Sequence, residues 1–105
     1  MDSDRLALHS LLAAAYPSFK LIFRAASHDV LEYPCIVYDV ENLVPAYANN
    51  TPYVIGTVFE VVMMSTLPGE FGIKDMLSIQ NSSHIQSYVS DGVVHDVFRI
   101  YINTL

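Results

Sequence analysis

Cys35, the histidines His9, His28, His84 and His95, the step His95-Asp96 and the pair Asp39 and Glu41 are the positions where this sequence could do chemistry. A lone cysteine with histidines elsewhere is the raw material of a thiolate–imidazole pair. Cys35, however, follows Pro34 inside an apolar run, where cysteine behaves as a small buried hydrophobe. His95 and Asp96 look like a dyad, but neighbours on a strand point to opposite faces. No histidines stand four apart on a helix, and neither His-Glu-x-x-His nor Cys-x-x-Cys occurs, so no metal is expected. The tripeptide Ser27-His28-Asp29 has the composition of a side-chain-capped turn. Gly56, Gly69, Gly72 and Gly92 are too far apart to open a phosphate-cradling loop, so no nucleotide cofactor is expected. Asp39 and Glu41, two apart, share a strand face, and an acidic hairpin edge accounts for them. No catalytic residue and no cofactor follow from these positions.

The elements that would hold these residues are readable in order. Asp2 and Ser3 can cap a helix, and Leu8, Leu11, Leu12 and Ala15 follow at helical spacing, predicting a helix over 3–15 that ends before Pro17. Phe19, Leu21 and Phe23 alternate with Lys20, Ile22 and Arg24 as in a half-buried strand. Residues 27–33 read as a loop, and Pro34 introduces a second strand over 35–40. Residues 43–52, with Pro45, Asn49-Asn50 and Pro52, read as a connecting loop that displays Leu43, Val44 and Tyr47. A long strand follows over 53–65, largely apolar on both faces, so both faces are expected to be covered. Pro68-Gly69 ends it, a helix is predicted over 70–80 with Glu70 at its favourable end, and Asn81 stops it. A strand over 85–89, the turn Asp91-Gly92 and a strand over 93–102 complete the chain. The expected fold is a single α+β domain over residues 1–105, in the order α-β-β-β-α-β-β, with a mostly antiparallel sheet and helices packed on one side.

Of the 105 residues, 52% are hydrophobic and 15% charged, with a mean hydropathy of +0.35. Ordinary soluble domains carry about 25% charged residues. That balance excludes intrinsic disorder and points to self-association. No apolar run reaches the roughly 20 residues of a membrane span. The acidic opening Met1-Asp2-Ser3-Asp4 is unlike a secretory leader, and one cysteine cannot form an internal disulfide, so a reducing cytoplasm or a particle assembled there is expected. The net charge is −6, and between Arg24 and Lys74 there is no lysine or arginine. A nucleic-acid binder displays a basic stripe; here five scattered bases offer none. Tyr33, Tyr38, Tyr47, Tyr53, Tyr88 and Tyr101 stand on strands or at their ends, where tyrosine serves packing or protein interfaces. Met63-Met64 suits core filling or a deformable contact surface.

Several short motifs occur together in this order: Tyr33-Pro34-Cys35-Ile36-Val37-Tyr38, Tyr47-Ala48-Asn49-Asn50 with Tyr53, Phe59-Glu60-Val61, and residues 91–98 from Asp91-Gly92 to Val97-Phe98. On these the chain resembles the small tail-terminator, or tail-completion, proteins of the neck of long-tailed bacteriophages, over roughly residues 3–102. The resemblance implies a non-enzymatic virion protein. It would form a ring, commonly a hexamer, that caps the tail tube, stops its polymerisation and joins it to the head–tail connector or adaptor protein. It implies contacts with itself and with the tail-tube protein through Leu43, Val44, Tyr47, Asn49, Asn50 and Tyr53. It also implies a DNA passage, without specific binding and without a membrane, that Asp39 and Glu41 would line; a solvated hairpin edge is the other reading of that pair.

Composition agrees from its own side. A ring subunit buries side faces and docking faces, which would absorb an apolar fraction too high for a monomer. Two neighbouring readings stand beside the terminator. One is a head-completion or connector adaptor protein of the same neck. The other is a small cytoplasmic ligand-binding module with an apolar pocket, which particle mass would separate from a ring.

Overall fold

A computed structural model describes residues 2–24, 33–48, 51–66 and 73–103. Helix α1 (Asp2–Ala15) is followed by β1 (Lys20–Phe23), β2 (Cys35–Ala48), β3 (Thr51–Ser65), α2 (Ile73–Leu77), β4 (Ser82–Ser90) and β5 (Val93–Ile102). The five strands form one sheet in the order β1-β2-β3-β5-β4. β1 runs parallel to β2, and every other neighbour is antiparallel. The fold is therefore the expected α+β domain, with two helices on one side of a mostly antiparallel sheet.

Alternation decides which face is buried. Ile36 and Tyr38 of β2, Phe59, Val61 and Met63 of β3, and Phe98, Ile100 and Ile102 of β5 form one core with Leu8 and Leu12 of α1 and Met76 of α2. Strand residues two apart share a face, so these positions define the helix side. Tyr38 meets Phe59 edge-on with ring centroids 6.3 Å apart, and its hydroxyl lies 2.8 Å from His9 Nδ1 on α1. A second polar link ties α1 to the sheet: Thr57 Oγ1 donates to Asp4 Oδ2 over 2.8 Å, and both residues are buried. A buried hydroxyl without an acceptor would be costly, so this bond fixes the axial position of α1 as well as contributing energy. Burial also pushes the Tyr16 hydroxyl up to about 12, against a backbone hydrogen bond with Met76 that pulls the other way.

The opposite face carries the other half of each alternation. Val37, Val62, Met64 and Tyr101 there are half-buried, and Glu60 and Arg99 are exposed. Cys35 and Val97 stand on this face too and are buried. The expectation that both faces of β3 are covered is thus met only in part on this side; the two described helices pack on the other. Helix α2 is also shorter than the predicted 70–80, running from Ile73 to Leu77, with residues 70–72 outside the described ones. Ser82 accounts for the early stop at the other end: its hydroxyl donates to the carbonyls of Met76 and Ile79, capping groups that further helix would have used. The Asp91-Gly92 turn is as expected, with φ of 52° and 76°. Two successive positive φ values define the hairpin turn whose twist suits its flanking strands.

The largest departure is in residues 43–52, read above as a loop. Residues 43–48 continue β2, and residues 51–52 begin β3. The pairing runs from Cys35↔Met64 to Ala48↔Thr51, interrupted by shifts between Val40 and Asn42 and between Val44 and Pro45. β5 reaches only as far as Ile102↔Thr57, and β1 only to Phe23↔Tyr38. Past those points β2 and β3 pair only with each other among the described residues. They form a two-stranded arm of roughly 17 Å, at about 3.4 Å per residue for the five residues after Leu43. The arm helps to explain a long axis of 51 Å and a radius of gyration of 14.7 Å, against about 13 Å for an ordinary domain of this length.

Candidate functional site

Two surfaces hold the residues that the sequence singles out. The first is the arm. Leu43 lies opposite Thr57 at its base, in the row that faces α1, and is 38% exposed because the helix layer does not cover it. Val44, half-buried, pairs with Gly56. Tyr47 pairs with Pro52, and Tyr53 with Ala46, further along the arm. Asn49 and Asn50 lie outside the described residues. Four of the six expected interface positions are therefore on one hairpin rather than in an irregular loop.

Residues 42–59 contain no charged side chain, in a chain of net charge −6. The body supplies the charges and the arm has none. Gly56 stands at the junction. A Cβ there would come within 2.6 Å of the Tyr101 ring, so the tyrosine covers the strand where it leaves the body.

The second surface is the open face of the sheet next to the arm. Here Asp39, Glu60 and Arg99 lie in one cross-strand row. Arg24, at φ 54° just past β1, donates from Nε to Asp39 Oδ1 over 2.8 Å. Arg99 grips Glu41 in bidentate fashion, Nε to Oε2 at 2.8 Å and Nη2 to Oε1 at 2.6 Å. Glu41 is the extra residue at the shift between Val40 and Asn42, and the shift frees it from the ladder to meet Arg99 on β5. Asp39 and Glu41 therefore engage different arginines, one towards β1 and the other towards β5. This charge set could not be read in advance, because its partners are 15 and 58 residues apart.

The Arg99 hydrogen bonds hold the Glu41 carboxyl below the usual glutamate range. A lowered folded-state pKa contributes stability above the unfolded glutamate pKa, and this is lost as pH falls through the folded one. Both side chains are well exposed to solvent, so the stability effect is small and the titration is the sharper readout. Replacing Arg99 by glutamine is expected to raise the Glu41 midpoint back towards an ordinary glutamate. Carboxyl-detected NMR titration of the unmodified chain and of Arg99→Gln measures it; an unmoved Glu41 midpoint would remove the pair from solution.

The remaining candidates are spread apart. Cys35 is fully buried, and burial pushes its thiol pKa up, which keeps it protonated and inert. Cys35 and His95 both pair with Met64, from opposite sides, so two strand spacings of roughly 10 Å separate them and no dyad forms. His95 accepts or donates at Nδ1 with the Val93 carbonyl and stacks on Tyr88, while Asp96, on the other face, lies 3.4 Å from His84 Nε2. His28 lies outside the described residues. Among the described residues, no three or more His, Cys, Asp or Glu side chains converge on a common point, and no helix is long and apolar enough to cross a membrane. An open cleft of about 270 Å³ lies between α1 and the end of β5, lined by Ala7, Leu11, Gln80, Asn81 and Asn103. It is smaller than the roughly 300–1,000 Å³ of ordinary ligand pockets. No protein-family model matches the chain, and no curated protein matches it either.

Proposed function

We propose that this chain is a structural virion protein that forms a ring at the top of a phage tail tube, ends the tube's polymerisation and joins the tail to the head connector. The observation that supports this best is the uncharged two-stranded arm projecting from an acidic body. An isolated two-stranded hairpin is marginal in water and needs something to pack against. A subunit that reaches out with one surface and is contacted on another makes head-to-tail contacts, which close into a ring when the rotation between subunits closes. Leu43, Val44, Tyr47, Tyr53 and the neighbouring Asn49 and Asn50 are the contact residues in this reading. Asp39 and Glu41, with Glu60, face the DNA passage; three carboxylates against two arginines leave that row net negative, which keeps a phosphate backbone from adhering.

The test is capping. Added to polymerising tail-tube protein from the same particle, the chain should shorten the tubes and appear at one end of each. Tyr47→Ala should weaken that capping about tenfold, equivalent to about 1.4 kcal/mol, while leaving the urea midpoint of the free chain nearly unchanged. Tubes that grow to the same length with and without the chain would reject the reading. Arm amides that exchange equally fast in free and assembled protein would reject the assignment of the contact to the arm.

A further inference from the structure

Among the described residues the sheet ends in three kinds of unpaired edge, and they are not equally protected. β1 is four residues long, begins at Lys20 and is followed by Arg24. The arm carries a proline on each strand, Pro45 on β2 and Pro52 on β3. Lysine, proline and shortness are the devices that keep an edge strand from pairing with another chain. β4 has none of them. It is nine residues long, Ser82–Ser90, pairs only with β5 among the described residues, and contains no Asp, Glu, Lys, Arg, proline or glycine. Its residues 83–90 are all exposed, including Tyr88 at 44% and Val89 at 68%.

One irregularity divides this edge. Pairing with β5 shifts between His84 and Gln86, leaving Ile85 as the extra residue. Beyond it, Gln86, Ser87, Tyr88, Val89 and Ser90 pair without a break with Val97 back to Val93. Tyr88 is the centre of that regular stretch, and it lies flat on His95, with ring centroids 4.6 Å apart and planes 9° apart.

We infer that β4 is a self-pairing edge: two copies of this chain join antiparallel through residues 86–90, with Tyr88 facing Tyr88 across a two-fold axis. The occupant is a second copy for two reasons. A two-fold axis makes any strand antiparallel to itself at equal length, so five regular residues meet five. The segment 76–90 also carries no Asp, Glu, Lys or Arg, so two molecules of net charge −6 can meet here without opposing carboxylates. The other edges of the same sheet are guarded, which leaves β4 as the pairing surface among the described residues. The contact closes Ser87 against Val89 on each side and gives a ten-stranded sheet across the pair. It is on a different surface from the arm and does not depend on the ring reading.

Cross-linking and mass test it together. Directly opposed residues in an antiparallel pair have Cα atoms about 4.5–5.5 Å apart, inside the roughly 4.4–6.8 Å that a disulfide spans. In a Cys35→Ser background, Tyr88→Cys should form a disulfide-linked pair on mild oxidation. Ser83→Cys, whose register partner would lie beyond β4, should not. By light scattering the unmodified chain should move from 11.7 kDa towards twice that mass as concentration rises. Tyr88→Lys should raise the dissociation constant at least tenfold, and Tyr88→Thr, which restores a strand-compatible neutral residue, should associate more tightly than Tyr88→Lys. A chain that stays monomeric to high concentration, a Tyr88→Cys variant that does not cross-link, or association untouched by Tyr88→Lys each overturns the inference. Tube capping that survives Tyr88→Lys with no pairing would reject this contact and leave the ring reading intact; pairing without capping would do the reverse.

Discussion

Replacing Phe59 by alanine is expected to remove about 3–5 kcal/mol of folding stability, a large part of the total of about 5–15 kcal/mol for a domain of this size. Phe59 is fully buried at the centre of β3, against Tyr38 and the α1 side of the core. Cutting the ring back to a methyl group loses its transfer energy and leaves a cavity that neighbours fixed in a sheet cannot fill. Val62, on the same strand but on the open face, is half-buried. Val62→Ala should cost only about 1 kcal/mol, in line with partial burial of two methyl groups. Urea denaturation of the two variants at low protein concentration compares them directly. Equal shifts in midpoint would mean that Val62 is covered as fully as Phe59, and the half-burial assigned to it would be wrong.

The same strand marks what could be read from sequence and what could not. Its buried row was legible because Thr57, Phe59, Val61 and Met63 alternate cleanly. The other row, with Val58, Val62 and Met64, is apolar too; it is half-buried beside buried Cys35 and Val97, a degree of cover that alternation alone cannot grade. In α1, the spacing gave Leu8 and Leu12 correctly, but Leu11, on the same spacing argument, is 42% exposed. The arm failed for a different reason. Pro45 and Pro52 look like strand breakers, yet a proline only forbids a hydrogen bond on the side where its N–H would point. Both prolines lie past the ends of β1 and β5, where that side has no ladder to lose. The serines at the ends of β4 hid that strand's full length, because an exposed edge needs no apolar residues to exist. Finally, the Arg24–Asp39 and Arg99–Glu41 bonds follow from strand order, which local patterning does not carry.

The second large effect is expected at Gly56, where the arm leaves the body. Gly56→Val should destabilise the chain by about 1–3 kcal/mol, the usual cost of forcing extra carbon into filled space. The cause is specific: a Cβ would lie 2.6 Å from Tyr101 Cε2 and from the Tyr101 hydroxyl oxygen, and 2.8 Å from Cζ. The obstruction is the far end of one side chain and not backbone, so the ring can swing aside, which places the cost towards the lower end of that range. Swinging it aside uncovers the base of the arm, so the amides of residues 54–58 should exchange faster as well. The backbone at Gly56 is not in the left-handed region, so valine has no conformational penalty of its own there and gains strand propensity over glycine. That sets up a reversal. With Tyr101→Ala already in place, the obstruction is gone, and adding Gly56→Val should be neutral or stabilising. Urea midpoints for the four members of this cycle give the coupling directly, expected at about 1–3 kcal/mol. If Gly56→Val costs the same with and without the tyrosine, then Tyr101 does not lie across the strand, and the glycine is required for some other reason than room for that ring.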